Sequence, residues 1–175
     1  IRYLMFIVVL LAPLYSFSQE SKLPNIIMMI GDGMGLSQIS SGMYSNNNYT
    51  SLERSHHIGL IKTHAFDDLV TDSAASGTAM SSGVKTYNRV VGMDVNYSPV
   101  KSILEISRDK GYMTAIIATS TIVHATPASY YSKVKSRYDY DEIASQLSKS
   151  NINFFVGGGE KYFNDRLDKR NLMNE

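Results

Sequence analysis

Ser73 directly follows an aspartate and begins a run of small side chains, VTDSAASGTAMSSG, over residues 70–83. Three interpretations are open: a flexible loop, a tightly packed helix of small residues, or a helix start that presents Ser73 to a bound anion. A helix that begins near Ser73 would direct free backbone N–H groups and the positive end of its dipole toward a phosphate. The run lacks the G-x-S-x-G pattern of serine hydrolases, whereas a metal ion can also activate a serine.

Asp32 lies in the sequence GDGMG, directly after the apolar run NIIMMI of residues 25–30. The glycines around it, Gly31, Gly33 and Gly35, allow the backbone to turn and to approach a ligand closely. A carboxylate in this place is suited to bind a hard cation or zinc. A β-turn also favours Asp and Gly, so this motif alone leaves a metal site and an ordinary turn equally open.

A third group of polar residues lies in HATPASYYSKVKSR, residues 124–137. His124 and Thr126 follow a predicted strand, at the edge of the sheet where ligands bind in α/β proteins. Arg137 carries a planar group that matches two phosphate oxygens. In isolation, Thr126 is equally explained as a helix cap and His124 as an exposed loop residue, and a surface arginine such as Arg137 is usually just solvated.

Short apolar runs alternate with helical patterns, which predicts an α/β fold with a mostly parallel central sheet and helices on both faces. Thr126 is predicted to be the N-cap of a helix whose first residue is Pro127. The predicted strands are residues 25–30, 58–65, 112–119 and 153–156, and the predicted helices are residues 36–44, 102–110, 139–150 and one that begins near Ser73.

The composition is that of an ordinary globular protein of 175 residues, which corresponds to one domain or to part of a larger one. Hydrophobic residues make up 43% of the chain and charged residues 19%, which argues against disorder. The formal net charge of +1 gives no indication of nucleic acid as a partner. The chain has no cysteine, which excludes disulfides and zinc–thiolate sites.

Residues 1–18 have the layout of a secretory signal peptide. Arg2 precedes the apolar run of residues 3–14, and SFS at residues 16–18 fits a cleavage site. A membrane anchor is the alternative, but a spanning helix needs roughly 20 apolar residues and this run is shorter. We therefore expect a periplasmic or secreted protein without a stable membrane anchor, in which residues 19–175 belong to a single domain.

Several motifs resemble those of the alkaline phosphatase family, over nearly all of the chain after the leader. PNIIMMIGDGMG resembles the family's first strand with its metal-binding aspartate, and VTDSAASGTAMSSGVKTYNRVVGMD resembles its nucleophile segment. HATP followed by SR matches its magnesium- and phosphate-binding segment, and GGGEKYF resembles a further stretch. The resemblance implies a three-layer α/β/α fold, incomplete in this chain, and hydrolysis of small phosphate monoesters. It also allows a homodimer in the full-length form.

The resemblance assigns four residues to the reacting phosphate. Ser73 matches the nucleophile that becomes phosphoserine. Arg137 matches the arginine that holds phosphate, and Asp72 matches the carboxylate that steadies this arginine. The backbone N–H of Ala74 would also face the phosphate.

The resemblance also implies two zinc ions and one magnesium ion in the full-length enzyme. Asp32 matches the carboxylate shared between one zinc and the magnesium, and Thr126 matches a magnesium ligand. His124 falls where some members of the family have Asp and others His, which leaves open whether it binds metal directly. No histidine follows His124, so the second zinc site cannot be assembled from these residues, and the chain is predicted to be part of a longer enzyme.

Two other functions stay open at this point. One is a related metal-dependent phosphotransfer enzyme, similar to cofactor-independent phosphoglycerate mutase, although the leader and the HATP segment argue against it. The other is a non-catalytic secreted protein that binds anions through the helix start at Ser73 and through Arg137. Downstream Asp and His ligands in a longer reading frame would favour an enzyme.

We expect residues 19–175 alone to have negligible phosphatase activity, even with excess zinc and magnesium. The family completes its metal sites with further acidic and histidine ligands, and a catalytic zinc takes about three protein ligands. The test is hydrolysis of a generic phosphate monoester by the purified fragment, with its zinc content measured alongside. Turnover in the usual range of the family, with two zinc ions bound per chain, would show that the site is complete without the further acidic and histidine ligands.

Overall fold

The structure is a computed structural model that describes residues 24–174. The predicted signal peptide, residues 1–18, lies outside the described residues. The chain divides into two units after Gly31, so residues 24–31 are described separately from the unit that starts at Asp32. Within residues 24–174, no helix has both the length and the apolar character needed to cross a membrane.

Helices and strands alternate along the second unit. Its two strands, β1 and β2, pair in parallel, with Ala115 opposite Phe154 and Ile117 opposite Val156. Two helices lie in the connection between these strands, which is the α/β arrangement that the sequence predicts. In chain order the elements are α1 (Leu36–Ser45), a 3-10 helix (Ser51–Arg54), α2 (Ser73–Ser82), α3 (Ile103–Asp109), β1 (Ala115–Thr121), α4 (Ala125–Ala128), α5 (Tyr140–Ser148), β2 (Phe154–Gly158) and α6 (Lys161–Asn164).

Local signals in the sequence explain where α3 and α5 form. At the start of α3, the Ser102 hydroxyl accepts the backbone N–H of Glu105, and the Glu105 carboxylate accepts the backbone N–H of Ser102. Gly111 follows the end of this helix with a φ of 84°, a conformation that favours glycine. Ile143 and Leu147 lie four residues apart on α5, and both are buried. The predicted helices over residues 36–44, 102–110 and 139–150 are thus confirmed to within two residues at each end.

One hydrophobic core joins β1 to the helices and to the loops between them. Within this core, the hydroxyl of Tyr131 donates to the carbonyl oxygen of Ile122 at 2.7 Å. Burial raises the pKa of the Tyr131 hydroxyl. The buried members of the core are Ala74, Val91, Ile116, Ile122, Val123, Ala125, Ala128, Tyr131, Val134, Ile143, Ala144, Leu147, Phe163 and Leu172.

Two of the four predicted strands are wrong. Residues 25–30 and 58–65 form no strand, and the side chains of Ile27 and Leu60 are 85% and 99% exposed. An apolar run becomes a strand only where a neighbouring strand completes its backbone hydrogen bonds. The sheet within residues 24–174 consists of β1 and β2 alone, so these runs have the composition of strands without the pairing.

Two details near β1 also differ from the prediction. The strand is Ala115–Thr121 rather than residues 112–119, and it is not buried throughout, because Ile117 is 72% exposed. The helix that follows begins at Ala125 with His124 in the N-cap position, so Thr126 is not the N-cap. The Thr126 hydroxyl donates to Asp32 instead of accepting a backbone N–H of its own helix.

We expect Ile143→Ala to lower the free energy of unfolding by about 2–5 kcal/mol, because it removes a fully buried side chain and leaves a cavity. Ile103→Ala on α3 is the matched control, since half of the Ile103 side chain is already exposed, and its loss should be smaller. Urea unfolding of both variants is the measurement. Equal losses would contradict the assignment of Ile143 to the centre of the core.

Candidate active site

Asp72 precedes helix α2 and accepts four hydrogen bonds through its side chain. Oδ1 accepts the backbone N–H groups of Ala74 at 3.0 Å and Ala75 at 2.9 Å, which caps the helix. Oδ2 accepts the backbone N–H of Arg89 at 3.0 Å and Nη1 of Arg137 at 3.1 Å. The side chains of Asp72 and Arg137 are only 23% and 13% exposed, so water screens this ion pair less than it would a surface pair.

Helix α2 brings Ser73 into the site because its small residues allow close packing. Ala74, Ala75, Gly77, Thr78 and Ser81 are the buried residues of this helix. A Cβ atom at Gly77 would lie 2.7 Å from Oγ of Ser129, which is too close for any real side chain. Ser81 strengthens the contact by donating its hydroxyl to the backbone carbonyl of Ser129 at 2.8 Å. The run of small residues is therefore a packed helix and not a flexible loop.

Asp32 holds two hydroxyl groups from distant parts of the chain. Ser73 Oγ donates to Asp32 Oδ1 at 3.1 Å, and Thr126 Oγ1 donates to Asp32 Oδ2 at 2.6 Å. The turn after Asp32 includes Gly33 with a φ of 68°, which glycine adopts without strain. The close packing of α2 against the segment around Ser129 places Ser73 and Thr126 on either side of one carboxylate.

His124 contacts Arg137 through its ring. Nη2 of Arg137 lies 3.1 Å from Nε2 of His124. A guanidinium group has donors only, so this contact is a hydrogen bond in the tautomer whose Nε2 carries no proton. Burial and the positive charge of Arg137 lower the pKa of His124, and the negative charge of Asp32 partly offsets them. Nε2 faces Arg137 in this structure, and direct metal binding by His124 stays a prediction.

The predicted site residues fall into two adjacent hydrogen-bonded groups. The first joins Ser73 and Thr126 to Asp32, and the second joins Asp72 to Ala74, Arg137 and His124. Ser73 follows Asp72 directly in the chain, which connects the groups. The N–H of Ala74 donates to Asp72 Oδ1 in this structure, and its contact with a phosphate stays a prediction.

Sequence reasoning missed two residues of this network, Asn88 and Arg89. The backbone N–H of Asp72 donates to Oδ1 of Asn88 at 2.8 Å, and Nδ2 of Asn88 donates to the carbonyl of Val70 at 2.9 Å. The carbonyl of Arg89 accepts the backbone N–H of Arg137 at 2.8 Å. The only signal in the sequence was the position of Asn88 in a loop, where Asn is common because its side chain bonds to nearby backbone.

The oxygen atoms around Asp32 are of the kind that bind hard cations. A carboxylate flanked by two hydroxyl groups suits Mg²⁺, which prefers oxygen ligands. Across the part of the chain that the structure describes, no three His, Cys, Asp or Glu side chains are grouped so that they could hold a metal ion. These residues therefore fit one side of a cation site, and they do not fit two complete zinc sites.

Comparison with known proteins places these features in a family. The model of the family described as alkaline phosphatase matches residues 23–175. Alkaline phosphatase 4 of Bacillus subtilis is 41% identical over 172 residues, which cover 89% of this chain and 37% of that protein. The repressible alkaline phosphatase of Saccharomyces cerevisiae is 34% identical over 164 residues, which cover 87% of this chain and 29% of that protein.

Solved structures give the same result for the fold. The alkaline phosphatase from the Antarctic bacterium TAB5 superposes with a TM-score of 0.79 at 43% sequence identity, over 82% of this chain and 42% of that one. A histidine-to-aspartate variant of the TAB5 enzyme with Mg bound in its M3 site superposes equally well. The predicted fold class is confirmed, and the chain spans well under half the length of the relatives that it matches.

We expect Asp72→Ala to be less stable than Asp72→Asn. Asparagine caps a helix about as well as aspartate, whereas the loss of a cap costs about 0.5–2 kcal/mol of unfolding free energy. Both variants remove the carboxylate partner of Arg137, so this loss is common to them and the difference between them reports the helix cap. Urea unfolding would measure the difference. Asp68→Ala is the control, because exposed Asp68 accepts one N–H, from Val70, outside any helix. Equal stability of the two Asp72 variants would show that the cap contributes nothing.

Proposed function

The chain belongs to the alkaline phosphatase family, and from this membership we propose that it is part of an exported, metal-dependent phosphate monoester hydrolase that forms a phosphoserine at Ser73. The main support for this proposal is that two neighbouring groups, the Ser73 hydroxyl and the Arg137 guanidinium, are each held by a carboxylate. The Ser73 hydroxyl is bonded to Asp32, and the guanidinium of Arg137 is bonded to Asp72, the neighbour of Ser73 in the chain.

Ser73 is the proposed nucleophile. Its Oγ forms a bond to phosphorus while the alcohol oxygen of the substrate leaves in line on the opposite side. The hydroxyl proton of Ser73, which is directed at Asp32 Oδ1 in this structure, passes to solvent water, and the departing alkoxide takes a proton from solvent. In the second step, a water oxygen attacks phosphorus and gives one proton to solvent. The bond from Ser73 Oγ to phosphorus breaks, Oγ takes a proton from solvent, and inorganic phosphate leaves.

Arg137 is the proposed phosphate-binding residue. Its planar guanidinium matches two oxygens of a phosphoryl group, and a charge-assisted contact of this kind is among the stronger hydrogen bonds in proteins. Asp72 fixes the orientation of the guanidinium through Nη1, and His124 contacts it through Nη2. Because both contacts come from partly buried side chains, Arg137 is held in place before a substrate arrives.

Asp32, Thr126 and Ser73 are the residues that would hold a cation, and their oxygens fit a hard cation such as magnesium. Bound zinc and magnesium would supply positive charge that favours the serine alkoxide and the leaving oxygen. Asp32 would keep Ser73 and Thr126 oriented, and the carboxylate would balance the positive charge. The remaining ligands would come from parts of the enzyme beyond this chain.

Export is part of the proposal and is supported by the leader of residues 1–18. The proposed substrates are small phosphate monoesters. The groups held around Ser73 are suited to bind the phosphoryl group, and none of them is proposed to contact the alcohol part of the ester.

In the full-length enzyme, we expect Ser73→Ala to abolish the covalent phosphoenzyme while leaving the metal content largely intact. The change leaves Asp32 and Thr126 in place, and the further acidic and histidine ligands of the full-length enzyme would hold most of the metal. Labelled phosphate trapped on the enzyme, followed by peptide mapping, is the measurement.

Ser76→Ala is the matched control for this experiment. Ser76 lies on the same helix, one turn further on, and its hydroxyl donates to the backbone carbonyl of Asp72 rather than to Asp32. The Ser76 variant should retain the label. Label mapped to Ser76, or retained in the Ser73 variant, would contradict the proposed nucleophile.

A further inference from the structure

Arg89 has a backbone conformation that is unusual for its residue type. Its φ is +74°, in the left-handed region that glycine adopts freely and that other residues rarely enter. Such a conformation is unfavourable for a side chain with a Cβ atom and persists only where the surrounding contacts hold it. The contacts that hold Arg89 are made by its own peptide groups.

The two peptide groups of Arg89 bond to both partners of the Asp72–Arg137 ion pair. Its N–H donates to Oδ2 of Asp72 at 3.0 Å, the same oxygen that accepts Nη1 of Arg137. Its carbonyl oxygen accepts the backbone N–H of Arg137 at 2.8 Å. One residue thus fixes the carboxylate and, at the same time, the main chain from which the guanidinium extends.

Asn88 adds a second attachment to the same segment. Its side chain accepts the N–H of Asp72 and donates to the carbonyl of Val70, so it holds the main chain on both sides of Thr71. The start of helix α2 is therefore fixed from the loop at residues 88–89, as well as by its own cap. Neither side chain in this loop needs to reach a substrate for this effect.

We propose that Asn88 and Arg89 are positioning residues for phosphate binding, which act through Asp72 and Arg137. The left-handed backbone of Arg89 aims its N–H at Asp72 and its carbonyl at the N–H of Arg137, and this sets the distance between Ser73 and the guanidinium. The inference rests on the proposed function, because it assigns these residues to the site in which Arg137 binds phosphate.

The proposal concerns the backbone of Arg89 and not its exposed side chain. Glycine would keep the positive φ and both peptide contacts, whereas β-branched valine strongly disfavours this conformation. Arg89→Gly should therefore bind phosphate like the parent. Arg89→Val should bind phosphate about tenfold more weakly or worse, the loss expected when a charge-assisted hydrogen bond is removed.

The experiment uses the full-length enzyme and two readouts. Inorganic phosphate binding is titrated by calorimetry and, separately, as competitive inhibition of monoester hydrolysis. Lys169→Val is the matched control, because Lys169 is also a long basic residue with a positive φ of 60°, and its N–H donates to Arg166 outside the site. This control should leave phosphate affinity unchanged.

The same substitutions are then repeated in an Arg137→Ala background. If Arg89 acts through Arg137, Arg89→Val should have little further effect on phosphate affinity in that background. A merely structural role would weaken phosphate binding by the same factor in both backgrounds. If Arg89→Val does not fold, Asn88→Ala gives the same comparison, since it removes two hydrogen bonds without changing the backbone preference of Arg89.

The outcomes separate this inference from the proposed function. Protein that binds phosphate but neither hydrolyses monoesters nor forms a phosphoserine would overturn the proposed function, and the calorimetric titrations would still decide the roles of Asn88 and Arg89. An active enzyme in which Arg89→Val binds phosphate like the parent would overturn the inference alone. The same conclusion would follow if Arg89→Gly and Arg89→Val were equally impaired, because the side chain would then be responsible.

Discussion

The carboxylate of Asp72 is the interaction on which the rest of the site depends. It accepts two N–H groups of its own helix, one N–H from the loop at Arg89 and one from the Arg137 side chain. A buried or partly buried carboxylate is stable only if such donors surround it. Three separate stretches of chain therefore meet at the Asp72 carboxylate. Because Ser73 is the next residue along the chain, the position of its backbone is fixed by the same contacts.

A second constraint is steric and acts from the other side of α2. The absence of a side chain at Gly77 allows the helix to approach Ser129 closely, and this approach brings Thr126 to the carboxylate that also bonds Ser73. The electrostatic constraint at Asp72 fixes the start of the helix, and the steric constraint at Gly77 fixes its distance from the neighbouring segment. Together they define where the hydroxyl of Ser73 can lie.

Local signals made the helices and most of the site predictable, and non-local effects account for the errors. The cap at Ser102 is encoded within a few residues, so the helix after it could be predicted. Residues 25–30 have the composition of a strand, but a strand also needs a partner that composition does not reveal. Thr126 is not the predicted helix cap, because the helix begins before this residue and the Thr126 hydroxyl bonds to Asp32, 94 residues away in the sequence. The left-handed conformation of Arg89 could not be predicted, since nothing in the residue type requires it.

The small residues of α2 also have a thermodynamic consequence. Alanine and glycine lose no rotamer freedom when they are buried, whereas long side chains lose up to about 2 kcal/mol each at room temperature. The helix that carries Ser73 buries two alanines, a glycine, a threonine and a serine, and Met80 is its one long side chain. Docking this helix therefore orders the backbone of the site while freezing very few side-chain rotations, so the entropy lost in fixing Ser73 comes almost entirely from the main chain.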